Sequence, residues 1–502
     1  MNQRSKIAVL GYGVEGKSML KYLLKHKYSN VTVCDKRVHL DEKMPNGVSV
    51  RLGEHYLDDL GDFDIVFRSP GITYFDPSIV AARLAGAQIT SPTQFFLNNC
   101  PCTVVGVTGT KGKGTTSTLI YEILKEAFAS GDYLMAMKGR KRHAYLGGNI
   151  GNSPIDFLDK LKGDDVVVLE MSCFQLGDLK KSPHVAVLLN TTSDHLDYYP
   201  DRDEYLRAKE LILAHQDEDD LAILNQDYEY SKYYEPQVRG RLSWISPRGE
   251  GLKNGMDGDG AVYTEEGVIM YSHSGKSVMV MPVRNVALIG SHNIENVCSA
   301  IAAVKEFGVS DAVIEKVVKK FKGLPHRLEF VRTLNGVKYY NDSFSTNPQT
   351  SMAAVDSFDV PTILIAGGSD KGLDYYEWAR KILIKPSLQG VVLFGETSEK
   401  MWDAINTAEK KLKEGEGSPT MLAMCKNLKE AISKAKKYAE EILVKGEIVS
   451  GDRMCFKTGK TDIVRKKVKN AVVVMSPAAA CFDQFKDYKD RGKKFTEMVE
   501  EL

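Results

Sequence analysis

A glycine-rich stretch around one lysine carries the strongest chemical signal in the chain. Residues 104–119 read VVGVTGTKGKGTTSTL. Glycines allow several backbone N–H groups to point at one anion, and a lysine adds a full positive charge. The stretch therefore predicts a site for a nucleotide polyphosphate. Its expected ligands are Gly109, Thr110, Gly112, Lys113, Gly114, Thr115 and Thr116.

The stretch departs from the usual phosphate-loop pattern GxxxxGK[ST] at two positions. Val107 stands where the first glycine belongs, and Gly114 follows the lysine. We therefore expect Thr115 to supply the hydroxyl that binds magnesium. The alternative is an ordinary glycine-rich turn with a surface lysine.

Further polar residues follow apolar runs that read as strands. Glu170 ends VVVLE and Asn190 ends HVAVLLN. Because parallel α/β sheets bind ligands at the carboxyl ends of their strands, these residues are expected near the phosphate loop. Glu170 suits magnesium, which prefers hard oxygen ligands. His195 lies just beyond Asn190 in a polar loop, whereas Lys209 alone would be interpreted as a solvated lysine on a helix.

The N-terminal segment contains a second glycine-rich turn. The run IAVLGYGVEG places Gly11, Gly13 and Gly16 after a strand, and a second strand ends at Asp35. This spacing is typical of dinucleotide binding, so NAD is one interpretation. The same turn can hold any nucleotide diphosphate or have only a packing role.

Alternating strands and helices predict an α/β protein of three domains. We expect a Rossmann-like domain over 1–99, a central P-loop ATPase-like domain with a mostly parallel sheet over 100–326, and a Rossmann-like domain over 327–502. Three peripheral insertions, at 131–145, 239–283 and 444–469, receive no function. The second of them predicts a small β excursion.

The net charge of +1 argues against a nucleic-acid or anionic membrane partner. The eight cysteines are scattered, and the close pair Cys100 and Cys102 has no second pair to complete a zinc site. We therefore expect a cytoplasmic monomer with reduced thiols. No run of about 18 apolar residues predicts a membrane span.

Ten motifs occur in an order that resembles the Mur ligases over nearly the whole chain. They are GVTGTKGKGTT, LGGNIG, VVLEMSCFQL, NTTSDHLDYYP, YLRAKELIL, GSHNIEN, GLPHRLE, NDSFSTNP, GGSDKG and SPAAACFDQFKDYKDRG. The resemblance is strongest to the members that add D-glutamate to UDP-N-acetylmuramoyl-L-alanine in peptidoglycan precursor synthesis. It implies an ATP-dependent amide ligase that forms an acyl phosphate.

The resemblance also implies roles for individual residues. Lys113, His195 and Lys209 would be catalytic, and Thr115, Glu170, His195 and Lys209, the last as a carbamate, would hold Mg²⁺. ATP would also meet Asn293, Asn296, Arg327 and Asp342. The UDP substrate would meet Gly13, Val14, Asp35, Arg37, Ser69, Gly71, Asn149 and Ser172, and the amino acid would meet Thr346, Lys371, Cys481 and Tyr488.

Some residues depart from the family pattern. Gly114 occurs at this position in the related folylpolyglutamate synthetases, Phe344 replaces a lysine, and Cys481 replaces a serine. Glu15 brings an acid near the expected diphosphate turn, where it must point away or cap the helix. Alternatives are therefore a Mur-type ligase for another amino acid or acceptor, including a folate-type ligase, an NAD-dependent oxidoreductase, and a nucleotide-binding regulator without turnover.

Overall fold

Short apolar strands alternate with helices and form three large, mostly parallel sheets, which confirms the predicted α/β class. The chain of this computed structural model folds as two compact units. The first unit comprises Met1–Ala287 and His292–Phe321, and the second comprises Leu288–Ser291 and Lys322–Leu502. The structure describes residues 2–40, 42–133, 142–191, 199, 201–249, 260–412, 421–445, 447–454 and 461–502.

The first sheet has five parallel strands in the order β3-β2-β1-β4-β5. Its buried β1 and β4 are apolar on both faces, as in sheets covered by helices. The strands are β1 (Ile7–Leu10), β2 (Val31–Asp35), β3 (Val48–Leu52), β4 (Ile65–Arg68) and β5 (Gln88–Thr90), and the helices are α1 (Val14–Lys25), α2 (Pro77–Leu84) and α3 (Pro92–Asn99).

The second sheet has nine strands, in the order β14-β13-β12-β11-β10-β9-β6-β8-β7. Its strands are β6 (Thr103–Thr108), β7 (Ala144–Gly148), β8 (Val166–Glu170), β9 (Val185–Leu188), β10 (Leu221–Asn225), β11 (Arg241–Ser246), β12 (Ala261–Glu265), β13 (Val268–His273) and β14 (Lys276–Pro282). Its helices are α4 (Lys113–Ser130), α5 (Cys173–Leu176), α6 (Arg202–Glu210), α7 (Glu229–Tyr234), α8 (Ser291–Lys305) and α9 (Asp311–Val318).

Strand β6 lies between β8 and β9, with parallel partners on both sides. The chain therefore leaves β6 at a point where the strand order changes direction, which is where doubly wound sheets bind ligands. Residues of the first two sheets also share one hydrophobic cluster, with Phe96 beside Phe157 at a ring-centroid distance of 6.0 Å.

The third sheet lies in the second unit and has six strands in the order β15-β16-β22-β17-β18-β19. Strand β15 is antiparallel to its neighbour, and the other pairings are parallel. The strands are β15 (Glu329–Leu334), β16 (Val337–Asn341), β17 (Thr362–Gly367), β18 (Leu388–Phe394), β19 (Met421–Cys425) and β22 (Ala471–Met475), with a hairpin of β20 (Glu447–Met454) and β21 (Thr461–Lys467). The helices are α10 (Pro348–Asp356), α11 (Tyr376–Ile384), α12 (Ser398–Lys411), α13 (Leu428–Lys445) and α14 (Tyr488–Glu500).

The insertion at 239–283 contains strands, as expected, but it is not a separate β excursion. Strand β11 pairs in parallel with β10, and β12, β13 and β14 continue the central sheet at this edge. The segment is thus peripheral in position, but it extends the edge of the central sheet through β10 and does not form a sheet of its own. Within the described residues, no helix is both long enough and apolar enough to span a bilayer.

Candidate active site

The phosphate loop joins β6 to α4 through a turn that only glycine fits. Gly109 has φ +146°, and a Cβ there would lie 2.7 Å from Leu189 Cβ. Gly112 has φ +87°, and its Cβ would lie 2.3 Å from Asn296 Oδ1. Both positions therefore exclude a side chain, which keeps the backbone amides accessible to an anion. The strand, turn and helix follow one another as the sequence predicts.

Lys113 is the first residue of α4, and its ammonium group lies over this turn. Its Nζ donates to the carbonyl oxygens of Gly109 at 2.9 Å and Thr110 at 3.1 Å. A full positive charge thus lies beside the N-terminus of an 18-residue helix. Charge and helix dipole both favour a phosphate here.

Two asparagines of α8 connect this helix to α4. Asn296 Oδ1 accepts from Thr116 Oγ1 at 3.1 Å, and Asn296 Nδ2 donates to Asn293 Oδ1 at 2.9 Å. Both amides are buried within the first unit. They therefore hold α8 against the phosphate loop, and their expected contact with adenine stays a prediction.

Glu170 lies at the end of β8, beside β6, and is 4% exposed. Its Oε1 accepts from Asn149 Nδ2 at 3.0 Å, and its carbonyl oxygen accepts from Asn149 N at 2.9 Å. The structure thus joins a residue predicted for the UDP substrate to one predicted for the metal. Glu170 and the hydroxyl of Thr115, in the first turn of α4, are oxygen donors of the type that Mg²⁺ takes.

Lys209 is not the solvated lysine that its local sequence suggests. It is 1% exposed, and its Nζ lies 4.8 Å from the ring centroid of Tyr205, one helical turn earlier. Tyr205 Oη lies 2.9 Å from Thr110 Oγ1, so α6 contacts the phosphate loop. Sequence reasoning missed Tyr205, whose only signal was its spacing from the lysine. His195 lies outside the described residues.

In the first sheet, Asp35 and Arg37 organise the glycine turn after β1. Arg37 binds both carboxylate oxygens of Asp35 at 2.9 Å, and Tyr12 N donates to Asp35 Oδ2 at 2.7 Å. The hydrogen bonds from Arg37 lower the pKa of Asp35 to about 2. Gly13 and Val14 lie exposed on this turn, with Val14 70% exposed.

The turn after β4, which contains Ser69 and Gly71, is held by a buried ion pair that sequence reasoning missed. Arg68 Nη2 lies 2.9 Å from Asp178 Oδ2, and both side chains are at most 3% exposed. Arg68 Nη1 also donates to the Ile72 carbonyl at 2.6 Å. Ser69 Oγ donates to the Gly11 carbonyl at 3.0 Å, which brings the two turns together.

Glu15 lies in the first turn of α1, and its side chain is held by Gln175. Its Oε1 accepts from Gln175 Nε2 at 2.5 Å, while Oε2 is buried without a hydrogen-bond partner. Burial raises the pKa of Glu15 to about 7. Gln175 Oε1 accepts from Ser172 N at 2.9 Å, so Glu15 and Ser172 are linked through one amide.

In the second unit, Asp342 and Phe344 lie in the loop after β16. Asp342 is 5% exposed and accepts from Ser476 Oγ at 2.6 Å and Leu328 N at 3.1 Å. Burial raises its pKa to about 6. The Phe344 ring lies 3.7 Å from the Arg327 guanidinium carbon and 5.1 Å from the ring of Tyr488. Two predicted site residues, Arg327 and Tyr488, thus contact Phe344, and a third, Asp342, lies two residues before it in the same loop.

A buried arginine holds two loops of this unit together. Arg491 is fully buried, and it donates to Ser343 Oγ at 3.0 Å, Ser343 O at 2.9 Å and Ala480 O at 2.8 Å. Burial lowers its pKa to about 10. Arg491 therefore positions the loops that carry Thr346 and Cys481, whereas Lys371 is exposed, with its Nζ 5.8 Å from the ring centroid of Phe482.

Three family models match the chain. They are "Mur ligase MurD-like, N-terminal domain" over 5–91, "Mur ligase middle domain" over 107–304 and "Mur ligase, glutamate ligase domain" over 326–448. Among solved structures, MurF ligase from Thermotoga maritima in complex with ADP aligns with TM-score 0.51 at 17% identity, covering 100% of this chain and 97% of that one. MurF from Acinetobacter baumannii aligns with TM-score 0.53 at 16% identity, covering 99% of this chain and 92% of that one.

Curated relatives match over their full length. UDP-N-acetylmuramoylalanine–D-glutamate ligase from Clostridium tetani is 35% identical, covering 99% of this chain and 97% of the relative. The enzyme of that name from Acetivibrio thermocellus is 34% identical, and the match covers 100% of this chain and 97% of the relative. The resemblance first seen in ten motifs therefore extends along the whole sequence, and the chain belongs to the Mur ligase family.

Proposed function

We propose that this Mur ligase adds D-glutamate to UDP-N-acetylmuramoyl-L-alanine, with ATP cleaved to ADP and phosphate, in peptidoglycan precursor synthesis. The observation that carries the proposal is the phosphate loop after β6, where Lys113 lies over the turn, the neighbouring strand β8 ends at Glu170, and Tyr205 joins the helix of the buried Lys209 to Thr110 of the loop. The full-length relatives named for this reaction support the choice of substrates.

The reaction must bring two anions together, because a carboxylate attacks the γ-phosphate of ATP. The attack forms an acyl phosphate and releases ADP, and the amine of the amino acid then displaces phosphate. Lys113 is suited to hold the β- and γ-phosphates, since its ammonium lies over the loop. Preorganised positive charge of this kind stabilises the transition state most where water is excluded.

Magnesium is proposed to bind Thr115 and Glu170, with His195 and the carbamate of Lys209 near a second ion. The ion would neutralise phosphate charge. Glu170 and Asn149 are hydrogen-bonded, so Asn149 would orient the carboxylate toward the ion. The carbamate would form on the side-chain nitrogen of Lys209, which is 1% exposed and lies on the helix that contacts the phosphate loop.

The remaining residues keep the roles that the resemblance to the Mur ligases implies. The UDP substrate is proposed to bind the turns around Gly13, Val14, Asp35, Arg37, Ser69 and Gly71, with Asn149 and Ser172. Asn293, Asn296, Arg327 and Asp342 are assigned to ATP, and Thr346, Lys371, Cys481 and Tyr488 to the amino acid. We retain 1–99, 100–326 and 327–502 as domain boundaries and propose a cytoplasmic monomer.

A second candidate is a Mur-type ligase for another amino acid. Phe344 favours this alternative, because its ring stacks on Arg327 where relatives in the D-glutamate branch carry a lysine. Cys481 also supports it, since a thiol is a weaker hydrogen-bond donor than a hydroxyl.

The test incubates the purified protein with ATP, Mg²⁺, UDP-N-acetylmuramoyl-L-alanine and each of a panel of amino acids, and measures phosphate release. Release with D-glutamate alone would support the first proposal, and release with a different amino acid would support the second. No release with any pair would contradict both.

A matched pair of lysines controls this test. Lys113→Ala should lower kcat by about 10²–10³-fold, because it removes a charge aimed at the transferred phosphate. Lys125→Ala, at an exposed position three turns further along the same helix, should retain nearly all activity. Equal losses in both variants would argue against the assigned role of Lys113.

A further inference from the structure

Two cysteines separated by one proline are in contact just before the central sheet begins. The Sγ atoms of Cys100 and Cys102 lie 3.6 Å apart, and Cys100 Sγ lies 3.5 Å from the Cys102 carbonyl oxygen. A disulfide requires an S–S distance of about 2.05 Å, so the sulfurs need to approach by roughly 1.5 Å. Side-chain rotation with a small backbone adjustment covers a movement of this size.

The two thiols differ in access and in acidity. Cys100 is partly exposed after the last turn of α3, whereas Cys102 is 5% exposed before β6. The hydrogen bond with Cys102 and the charge of Lys181 lower the pKa of Cys100. The hydrogen bond with Cys100 and burial raise the pKa of Cys102. The accessible thiol is therefore the one that ionises first and attacks.

We propose that Cys100 and Cys102 form a reversible redox-active dithiol that reacts with hydroperoxides, with Cys100 as the attacking thiol and Cys102 as the resolving thiol. This site is separate from the ligase chemistry. The Cys100 thiolate attacks the peroxide oxygen, which gives a sulfenic acid and hydroxide. Cys102 then attacks the sulfenic sulfur, the S–O bond breaks, and the departing hydroxide takes up the thiol proton as water. Two thiols and one hydrogen peroxide thus give one disulfide and two waters.

A chemical role fits this pair better than a structural one. The disulfide would enclose only Pro101 between its cysteines, and so short a loop removes little entropy from the unfolded chain. Cys102 is already fixed by its position before β6 and its burial in the shared hydrophobic cluster. The bond therefore adds little to folding and stays available for reduction.

The test uses the full-length, fully reduced protein and an equimolar amount of hydrogen peroxide. Trypsin cuts after Arg83 and Lys111, so one peptide carries both thiols and no other cysteine. After peroxide this peptide should lose two hydrogens in mass and accept no alkylating label, and dithiothreitol should restore two labels. Cys425, which is partly exposed, serves as the internal control and should keep its label.

Two single variants separate the roles. Cys102→Ser should stop at a sulfenic acid on Cys100 that a cyclic 1,3-diketone traps. Cys100→Ser should leave Cys102 at least about tenfold less reactive than Cys100 is in the unmodified chain. The proposal is overturned if peroxide leaves two labelled thiols in the peptide, if disulfides form only between chains, or if the Cys102 thiol reacts as fast alone.

Discussion

Single residues show most clearly where local sequence and structure disagree. In its helix, Lys209 has the pattern of a surface lysine, yet it is 1% exposed. Tyr205, Gln175 and Arg491 were not predicted at all, because each has an essential partner at least 95 residues away in the sequence, namely Thr110, Glu15 and Ser343. Local patterns identify the type of a residue, whereas such interactions depend on how distant segments pack.

Lys209→Ala should abolish ligase activity, because the alanine cannot carry a carbamate. Short carboxylic acids should partly restore it by supplying the missing carboxylate oxygens. Phosphate release with and without added acid measures both effects. Arg207→Ala, on the exposed side of the same helix, is the control and should retain activity. Loss without rescue, together with no carboxylation detected by mass, would remove the carbamate assignment.

Glu15 should make stability depend on pH. Its pKa is raised to about 7 by burial, so the folded state binds the proton more tightly than the unfolded state, and the free energy of unfolding falls as pH rises from about 4.5 to 7. The Arg68 charge opposes this rise and the Asp178 charge adds to it. Glu15→Gln should therefore be more stable than the parent protein at pH 8, by roughly 1–3 kcal/mol, and closer to it at pH 5. Urea unfolding of both proteins at pH 5 and pH 8 measures the difference in their free energies of unfolding. The same difference at both pH values would contradict this account.

Phe344 is a positioning residue for Arg327, through the 3.7 Å contact between ring and guanidinium. Phe344→Leu removes the ring and should raise the KM for ATP by about 2–30-fold, the range expected from a cation–π contact. Phe344→Tyr keeps the ring and should behave like the parent protein. Steady-state kinetics with ATP and the amino acid varied separately provide the measurement. Equal effects of the two variants would argue against stacking.

The positions of strands and helices were predicted better than the pairing of the strands into sheets. The strand, turn and helix around Lys113 follow from the glycine-rich pattern. The strands at 239–283 were expected too, but their place in the central sheet was not. Strand propensity is local, whereas β11 joins the sheet by parallel pairing with β10, and parallel pairs have no tight turn whose residues would mark them in the sequence.

The Arg68–Asp178 pair connects β4 to the chain after α5, and its loss tests how firmly these elements are joined. Arg68→Met should destabilise the protein by about 3–5 kcal/mol, because it leaves Asp178 buried without its partner. Arg68→Met with Asp178→Leu should recover most of this loss. Chemical unfolding of the single and double variants measures the coupling, and additive effects would show that the pair is not coupled.

At the scale of the whole molecule, motifs in order identified the family, and the full-length relatives confirm it. The boundaries of the three predicted domains stay a prediction. The first predicted domain and most of the second form one compact unit, and one hydrophobic cluster includes residues from both, among them Phe67 and Leu188. Sequence composition does not reveal such a shared core, because each sheet has its own apolar pattern.

This grouping predicts how fragments will fold. A fragment of residues 1–321 should unfold cooperatively, because it keeps the shared cluster intact. A fragment of residues 1–99 should not, because it loses much of that cluster and leaves Arg68 without Asp178. Circular dichroism during urea titration measures both. Cooperative unfolding of the shorter fragment would show that the first sheet is an independent folding unit.

Arg491 has a consequence for how amino-acid preference can change in this chain. Its guanidinium donates to main-chain oxygens of Ser343, Ala479 and Ala480, and neither alanine contributes a side-chain acceptor. These main-chain hydrogen bonds do not depend on the side chains at positions 479 and 480, whereas the fourth bond of Arg491 requires the Ser343 hydroxyl. Under the amino-acid-binding role proposed for Cys481, a substitution at this position would leave the main-chain hydrogen bonds of Arg491 in place, so that selectivity would change without refolding the surrounding loops.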